Sequence, residues 1–157
     1  MNDLQNNTRK LTPSEAMFRL ATQYIGLQEI KGEENNPIIM QMFKDIGHSW
    51  VKDDEMSWCS TFINWIAFQV GCEMSGALDA RSWLGVGKIT YNPKHGDVVV
   101  FWRESIDSWK GHVGLFAGYD KFKNILVLGG NQNNEGNVST YLSSRVLGFR
   151  ELSYKNK

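Results

Sequence analysis

The order of two hydropathy patterns constrains the fold of this 157-residue chain more than any single motif does. In the first half, apolar residues recur at helical spacing, and helix-start signals at Thr12-Pro13-Ser14-Glu15, Pro37 and Ser57 predict three helices. Beyond residue 96 the apolar residues form strand-like runs, at 97–102, 112–118 and 124–129, and in shorter form at 138–141 and 146–150. Helices followed by strands predict an α+β fold with an antiparallel sheet.

Length and charge narrow the class of protein. A chain of 157 residues suits one domain. We expect a flexible lead-in over residues 1–12, a single domain over residues 13–152 and a short tail over residues 153–157. The 17 basic and 17 acidic residues cancel, which argues against binding to a phosphate backbone. We therefore expect a monomer without a nucleic-acid partner.

The sequence carries no recognisable targeting segment. Its first residues, Met1 to Thr8, are polar and lack the apolar stretch of a secretory signal. No part of the chain approaches the ~20 apolar residues of a membrane span. We expect synthesis in the cytoplasm, without a signal peptide and without a membrane-spanning segment.

The two cysteines, Cys59 and Cys72, differ in their predicted surroundings. A helix over 59–71 would hold them roughly 20 Å apart, whereas a disulfide needs Cα atoms within about 7 Å of each other. Cys72 is therefore interpreted as a small buried apolar residue. Cys59 falls in the first turn of a helix that is apolar on nearly all sides. The partial positive charge and unpaired N–H groups there favour a thiolate and can bind an oxyanion, as a nucleophile requires.

His112 and Asn131 could complete a nucleophilic site around Cys59. His112 opens a strand run beside a glycine, and Asn131 follows the next apolar run. If these two runs pair as a hairpin, both residues lie near its open end. An asparagine carbonyl that accepts the imidazole N–H fixes the tautomer and the orientation of the ring. The arrangement would be a Cys-His-Asn triad.

Four segments resemble those of CHAP amidohydrolases and the related NlpC-type cysteine peptidases. They are Trp58-Cys59-Ser60-Thr61-Phe62-Ile63-Asn64-Trp65, Gly96-Asp97-Val98-Val99-Val100-Phe101, Gly111-His112-Val113-Gly114 and Leu128-Gly129-Gly130-Asn131-Gln132. Two further segments, at 24–29 and 36–39, are similar to the N-terminal part of one bacterial and phage subgroup. The resemblance covers about residues 14 to 150, with the motifs in the family's order.

The resemblance implies a papain-like fold and hydrolysis of an amide bond in peptidoglycan. It implies Cys59 as nucleophile, His112 as general base and then acid, and Asn131 as the orienting residue. Many members carry a glutamate shortly before that asparagine, but this chain has Gly129-Gly130 there. Some members bind calcium through spaced acidic ligands, a pattern that the consecutive Asp53-Asp54-Glu55 lack. We expect no metal and no cofactor.

Three further residues are candidate substrate contacts. Trp58 adjoins Cys59 and Trp102 ends a strand run, so either could wall a cleft or pack in the core. Gln132 could contact substrate or serve only as a turn residue.

The resemblance implies an N-acetylmuramoyl-L-alanine amidase or a stem-peptide endopeptidase. A papain-like acyltransferase or deamidase, and a non-catalytic wall-binding module, are the alternatives. Without a secretory signal, the protein would reach the periplasm or cell wall as a phage lysis enzyme released through a holin, or as an interbacterial toxin delivered by a secretion apparatus. A toxin would imply an immunity protein as a partner.

Overall fold

A computed structural model describes residues 10–30, 34–54 and 56–155. Residues 1–9 of the predicted lead-in, Glu55 of the acidic run and residues 156–157 of the predicted tail lie outside the described residues. The helices come first, and they are α1 (Pro13–Thr22), α2 (Pro37–Asp45), α3 (Cys59–Val70) and a 3-10 helix (Ala80–Gly85). The strands follow, as β1 (Lys88–Thr90), β2 (Val98–Trp102), β3 (Gly111–Tyr119), β4 (Ile125–Gln132), β5 (Glu135–Tyr141) and β6 (Val146–Glu151), with a 3-10 turn (Ser143–Arg145) before β6.

The six strands form one antiparallel sheet in the order β1-β6-β2-β3-β4-β5. Helix α3 packs on β3 and β4, and α1 and α2 flank it. The predicted α+β fold is confirmed, and it is papain-like in placing a helix that begins at a cysteine against an antiparallel sheet.

Local sequence signals set the ends of the helices. Thr12 caps α1 in a reciprocal capping box with Glu15. Asn36 caps α2 by accepting the Ile38 N–H at 2.9 Å. Each side chain satisfies a backbone group that the first helical turn leaves unpaired. Helix α3 ends where Gly71 takes a φ of 84°, in the left-handed region that glycine adopts at little cost.

Two apolar clusters lie on opposite faces of the sheet. The first fills the space between the helices and the sheet, and its fully buried members include Phe62, Ile63, Ile66, Val98, Val100, Val113 and Leu115. The second lies on the far face and consists of Val99, Phe101, Phe116, Ile125 and Val127. Burial on both faces explains why β2 is a continuous apolar run rather than an alternating one.

A buried aspartate joins the helical layer to the sheet. Asp97 precedes β2 and is fully buried. One of its carboxylate oxygens accepts the Ser14 hydroxyl of α1 at 2.5 Å, and the other accepts the Lys94 N–H at 2.8 Å. A buried carboxylate is tolerated only with such partners, so this contact fixes α1 against the start of β2.

The described end of the chain packs back against α3. The Lys155 N–H donates to the Gly71 carbonyl at 2.9 Å, and the Tyr154 hydroxyl donates to the Leu11 carbonyl at 2.7 Å. The boundary of the domain at residue 152 stays a prediction. Within residues 10–30, 34–54 and 56–155, no helix combines the length and hydropathy that crossing a membrane would require.

Candidate active site

Cys59 and His112 meet where α3 begins on the sheet. Cys59 is the first residue of α3, and Trp58 before it provides no side-chain cap. His112 is the second residue of β3. Both side chains are only 3% exposed. The His112 ring lies near enough to the Cys59 thiol to lower its pKa, so the structure brings the predicted nucleophile and base together.

The surroundings of Cys59 favour its ionised form. Burial of the sulfur is the largest single influence and raises its pKa, but the interactions with His112, the Val113 N–H and the Ser57 hydroxyl together outweigh it. The Val113 N–H and the Ser57 hydroxyl lower the pKa by hydrogen bonding to the sulfur. The net pKa of Cys59 lies below that of an ordinary thiol, as a reactive cysteine requires.

Cys72 is the opposite case. Both cysteines are free, as the sequence predicts. Burial, followed by the negative charge of Glu73, raises the pKa of Cys72 to about 11. Cys72 therefore stays a neutral thiol at any physiological pH, which fits its interpretation as a bystander.

Gln132, rather than Asn131, contacts the imidazole of His112. The Gln132 Oε1 lies 2.9 Å from His112 Nε2, and both side chains are buried. Because Nε2 faces Gln132, the other ring nitrogen, Nδ1, is left for the Cys59 thiol. The ring also stacks on Tyr141, with centroids 4.8 Å apart and planes 12° apart, which restricts its tilt.

The orientation of the Gln132 amide is fixed by its neighbours. Its Nε2 faces three oxygens, which are Val127 O at 3.1 Å, Asn137 O at 2.9 Å and Asn137 Oδ1 at 2.8 Å. The Asn137 amide is fixed in turn, because its Nδ2 donates to Gln132 O and to a Glu135 carboxylate oxygen, both at 2.9 Å. Gln132 must therefore turn Oε1 towards His112. His112 Nε2 carries the proton, and Nδ1 is free to accept one from Cys59.

An irregularity in β4 brings Gln132 to this position. Gly129 pairs with Asn137 and Gln132 pairs with Glu135, so two residues of β4 lie opposite one residue of β5. The extra residue is accommodated by Asn131, whose φ of 55° is left-handed. Without this bulge, regular pairing would place Asn131 opposite Glu135. Gln132 therefore takes the face that alternation predicts for Asn131.

Asn131 contacts the site by another route. Its Nδ2 donates to Ser57 Oγ at 3.2 Å, and Ser57 Oγ lies 3.9 Å from Cys59 Sγ. Since the Ser57 oxygen accepts from Asn131, its own proton is available to the sulfur. This hydrogen bond is one of those that lower the Cys59 pKa.

Two cavities flank the Cys59–His112 contact. The Cys59 cavity has a volume of about 550 Å³, and its lining includes Ser57, Cys59, Asp79, Glu104, Trp109 and Lys110. The His112 cavity has a volume of about 250 Å³, and its lining includes Trp102, His112, Asn131, Gln132 and Tyr141. Arg103 and Arg145 line both cavities, which therefore adjoin each other and are together called the cleft; Cys59 lines the first cavity and His112 the second.

The two tryptophans predicted as substrate contacts lie in different places. Trp102 lines the His112 cavity, with the guanidinium of Arg145 4.7 Å from its ring centre. Trp58 is fully buried, donates to Glu29 Oε1 at 2.8 Å and meets the Phe62 ring edge-on. Trp58 does not reach the cleft, because it points into the core beneath α3.

The loop that walls the Cys59 cavity is held by one arginine. The guanidinium of Arg81 donates to the carbonyls of Ser105, Ile106 and Lys110 at 2.8–2.9 Å. Three bonds from one rigid group fix this loop beside the sulfur. In the part of the chain that the structure describes, no group of three or more His, Cys, Asp or Glu side chains could hold a metal ion.

The contact between Gln132 and His112 is the part of the site that the sequence did not predict. The signal that could have found it is Asn133-Asn134, a pair that favours a two-residue hairpin turn because asparagine tolerates positive φ. Both residues have positive φ in the structure, 55° and 64°. Such a turn pairs Gln132 with Glu135 and so determines which residue faces the histidine.

Comparison with known proteins identifies the family. The family model for the CHAP domain matches residues 51–131, which is more than half of the chain and includes Cys59 and His112. No curated protein matches the chain. The CHAP family consists of hydrolases of the peptidoglycan amidase and peptidase type. Together with the helix and sheet that carry Cys59 and His112, the match shows that the chain belongs to the CHAP domain family.

Proposed function

We propose that this protein hydrolyses an amide bond of peptidoglycan, with Cys59 as nucleophile, His112 as base and acid, and Gln132 as the residue that orients His112. The bond is the N-acetylmuramoyl-L-alanine amide or a peptide bond within the stem. The observation that carries the proposal is the arrangement in series of the Cys59 thiol, the His112 ring that lowers its pKa, and the fixed Gln132 amide that binds this ring.

The first step forms a thioester. His112 Nδ1 takes the thiol proton, and the Cys59 thiolate attacks the carbonyl carbon of the amide. The negative charge moves to the carbonyl oxygen. Cys59 begins α3, where no side chain caps the helix, so its N–H can stabilise the oxyanion that forms next to the sulfur.

The leaving amine departs with a proton from His112. The C–N bond breaks as the imidazolium donates its Nδ1 proton to the nitrogen, and the acyl group stays on the sulfur. Gln132 Oε1 accepts a hydrogen bond from the Nε2–H of His112 throughout. This bond stabilises the imidazolium that exists after His112 takes the thiol proton and before it gives that proton to the amine. The role of Gln132 is the one that the resemblance assigns to Asn131. Asn131 instead supports the thiolate through Ser57.

Water completes the cycle. His112, again neutral, takes a proton from water as the oxygen attacks the thioester carbonyl. The C–S bond breaks and a carboxylic acid is released. The proton that His112 took from water is then shared again between His112 and the Cys59 sulfur. The products are one new amino group and one new carboxylate for each bond cut.

The cellular role that fits this activity is lysis of the wall, either by a phage lysis enzyme or by an interbacterial toxin. Both reach peptidoglycan only outside the cytoplasmic membrane. We expect lysis of Gram-negative cells when the chain is directed to the periplasm through an added signal, and none when it stays in the cytoplasm. Lysis from the cytoplasm, or survival of cells with active enzyme in the periplasm, would contradict this role.

The nucleophile is tested by release of amino groups from purified peptidoglycan. Wild-type protein should release them, and Cys59→Ala should release none above background, because no other group in the described site can form the thioester. Cys72→Ala is the matched control, since it removes the other buried thiol, and should keep its activity.

Two outcomes would contradict the proposal. Activity in a Cys59→Ala variant whose circular dichroism spectrum matches that of the wild type would exclude Cys59 as nucleophile. Mass spectrometry of the products gives the second test, because transfer of the acyl group to another amine in place of water would exclude hydrolysis.

A further inference from the structure

Two arginines stand where the two cavities of the cleft meet. Arg103 and Arg145 line the Cys59 cavity and also the His112 cavity. A substrate whose amide lies against Cys59 and His112 therefore has both arginines beside it. Their charge acts on the part of the substrate next to the bond that is cut.

Neither guanidinium forms a salt bridge with an acidic side chain of residues 10–30, 34–54 or 56–155. Among the described residues, the salt bridges are Lys94 with Glu151 and Lys110 with Glu104, and neither includes an arginine of the cleft. The Arg145 guanidinium lies 4.7 Å from the centre of the Trp102 ring, a cation–π contact that attracts it without using its N–H donors. A guanidinium with free donors is suited to bind a carboxylate through two hydrogen bonds.

The charges of the cleft are distributed unevenly. The Cys59 cavity holds both signs, because Asp79, Glu104 and Lys110 line it together with the arginines. Glu104 and Lys110 pair at 2.7 Å and largely cancel. The His112 cavity contains the two arginines and no acidic residue in its lining. An anionic group therefore finds its most favourable place on the His112 side.

The His112 side is also the side of the leaving amine, because His112 donates the proton that this amine needs. We infer that Arg103 and Arg145 form a carboxylate subsite for the leaving half of the substrate. This inference rests on the proposed function. The amine product would be an amino acid or peptide with a free carboxylate close to its new amino group, and the guanidinium groups would hold that carboxylate.

The inference is tested with peptidoglycan in its native form and after conversion of its carboxylates to amides with carbodiimide and ammonia. We expect Arg103→Gln and Arg145→Gln each to raise KM about tenfold with kcat unchanged, the loss expected for one hydrogen bond to a charged group. Amidation should raise KM for the wild type, but should have no further effect on the double variant. Arg19→Gln, an exposed change on α1 outside both cavities, is the matched control and should leave KM unchanged.

Product inhibition identifies the side of the bond. The purified amine product should inhibit the wild type, and should inhibit the double variant about tenfold more weakly. Inhibition by the acid product should be the same for both proteins. The inference is overturned if the arginine changes weaken inhibition by the acid product instead, or if amidation raises KM equally in the wild type and the double variant.

A binding measurement separates this inference from the proposed function. Cys59→Ala protein is incubated with native or amidated sacculi, and the bound fraction is measured after sedimentation. We expect more binding to native sacculi, and no such preference when the two arginine changes are added. Equal binding to both kinds of sacculi would overturn the carboxylate subsite. Absence of hydrolysis by the wild type would overturn the proposed function alone.

Discussion

A single amide, that of Gln132, determines the protonation pattern of the candidate site. The Nε2 of Gln132 faces three oxygens, so the Oε1 of Gln132 must face His112, where it accepts a hydrogen bond from the Nε2–H of the imidazole. The opposite tautomer would place a proton on Nδ1, where His112 could no longer act as a base towards Cys59. The site therefore depends on a residue that neither attacks the substrate nor transfers a proton.

Removing the Gln132 amide should reduce turnover more than binding. We expect Gln132→Ala to lower kcat about a hundredfold, less than the ~10⁴-fold loss that a wrong tautomer causes in a serine-protease triad. KM should change little, because Gln132 is only 2% exposed. Steady-state kinetics on soluble peptidoglycan fragments measures both constants.

Asn131→Ala is the comparison that separates two assignments of the third residue. It removes one hydrogen bond to Ser57, and we expect a fall in kcat of less than about tenfold, the effect of a single neutral hydrogen bond. A larger loss in Asn131→Ala than in Gln132→Ala would return the orienting role to Asn131.

For individual residues, the sequence predicted which side chains could act in the site better than it predicted how those side chains are oriented. Cys59 and His112 were predictable, because a helix start and a strand start place them without knowledge of side-chain packing. Gln132 was not, because its direction depends on one extra residue in β4. The position of Trp58 was ambiguous for a similar reason, since the sequence does not say which side of a helix start faces the core.

The bulge in β4 is the element on which the site depends. Gly129 makes it possible for the Gln132 side chain to fold across its own strand, because a Cβ atom at Gly129 would lie 2.7 Å from Gln132 Oε1. Gln132, three residues further along the strand, therefore occupies the space beside Gly129.

Gly129→Ala should therefore displace the Gln132 amide without unfolding the sheet. The atom that must move is the far end of a side chain, but that amide is buried and hydrogen-bonded, so we expect the free energy of unfolding to fall by about 1–3 kcal/mol while the protein stays folded. We expect kcat to fall towards the value of Gln132→Ala, and the two changes combined to be no worse than either alone. The test is to measure kcat for the two single variants and the double variant, with thermal melting curves to show that each variant is folded. Additive losses would show that Gly129 acts through another route.

The elements themselves were largely predictable. Capping residues and proline gave the starts of α1 and α2, and apolar runs gave β2, β3 and β4 within a few residues. The exception is β1 (Lys88–Thr90), which none of the strand-like apolar runs of the sequence includes. It is a three-residue edge strand with little burial, so it has no hydropathy pattern, and its pairing with β6 alone defines it.

At the scale of the whole molecule, the site requires that the helical layer and the sheet stay in register. Cys59 belongs to the first and His112 to the second, so a small shift between the layers would separate them. The buried contact of Asp97 with Ser14 is one of the polar links between these layers. Apolar packing around α3 provides most of the remaining attachment.

We expect Asp97→Ala to lower the free energy of unfolding by about 3 kcal/mol, because the Ser14 hydroxyl and the Lys94 N–H lose their buried acceptor. Asp107→Ala, in an exposed loop, should change it by less than about 0.5 kcal/mol. Urea unfolding followed by tryptophan fluorescence measures both. Equal stability of the two variants would mean that Asp97 does not join the layers.

In the proposed mechanism His112 keeps Cys59 ionised for attack, and alkylation by iodoacetamide at about pH 6 reports this ionisation. The Cys59 pKa lies below the ordinary thiol value, whereas burial raises the pKa of Cys72 to about 11. We expect peptide mapping to find the label on Cys59 and not on Cys72, with hydrolytic activity lost in proportion, and no label at this pH in His112→Ala. A Cys59 that reacts only at alkaline pH, or that reacts equally with and without His112, would contradict the account.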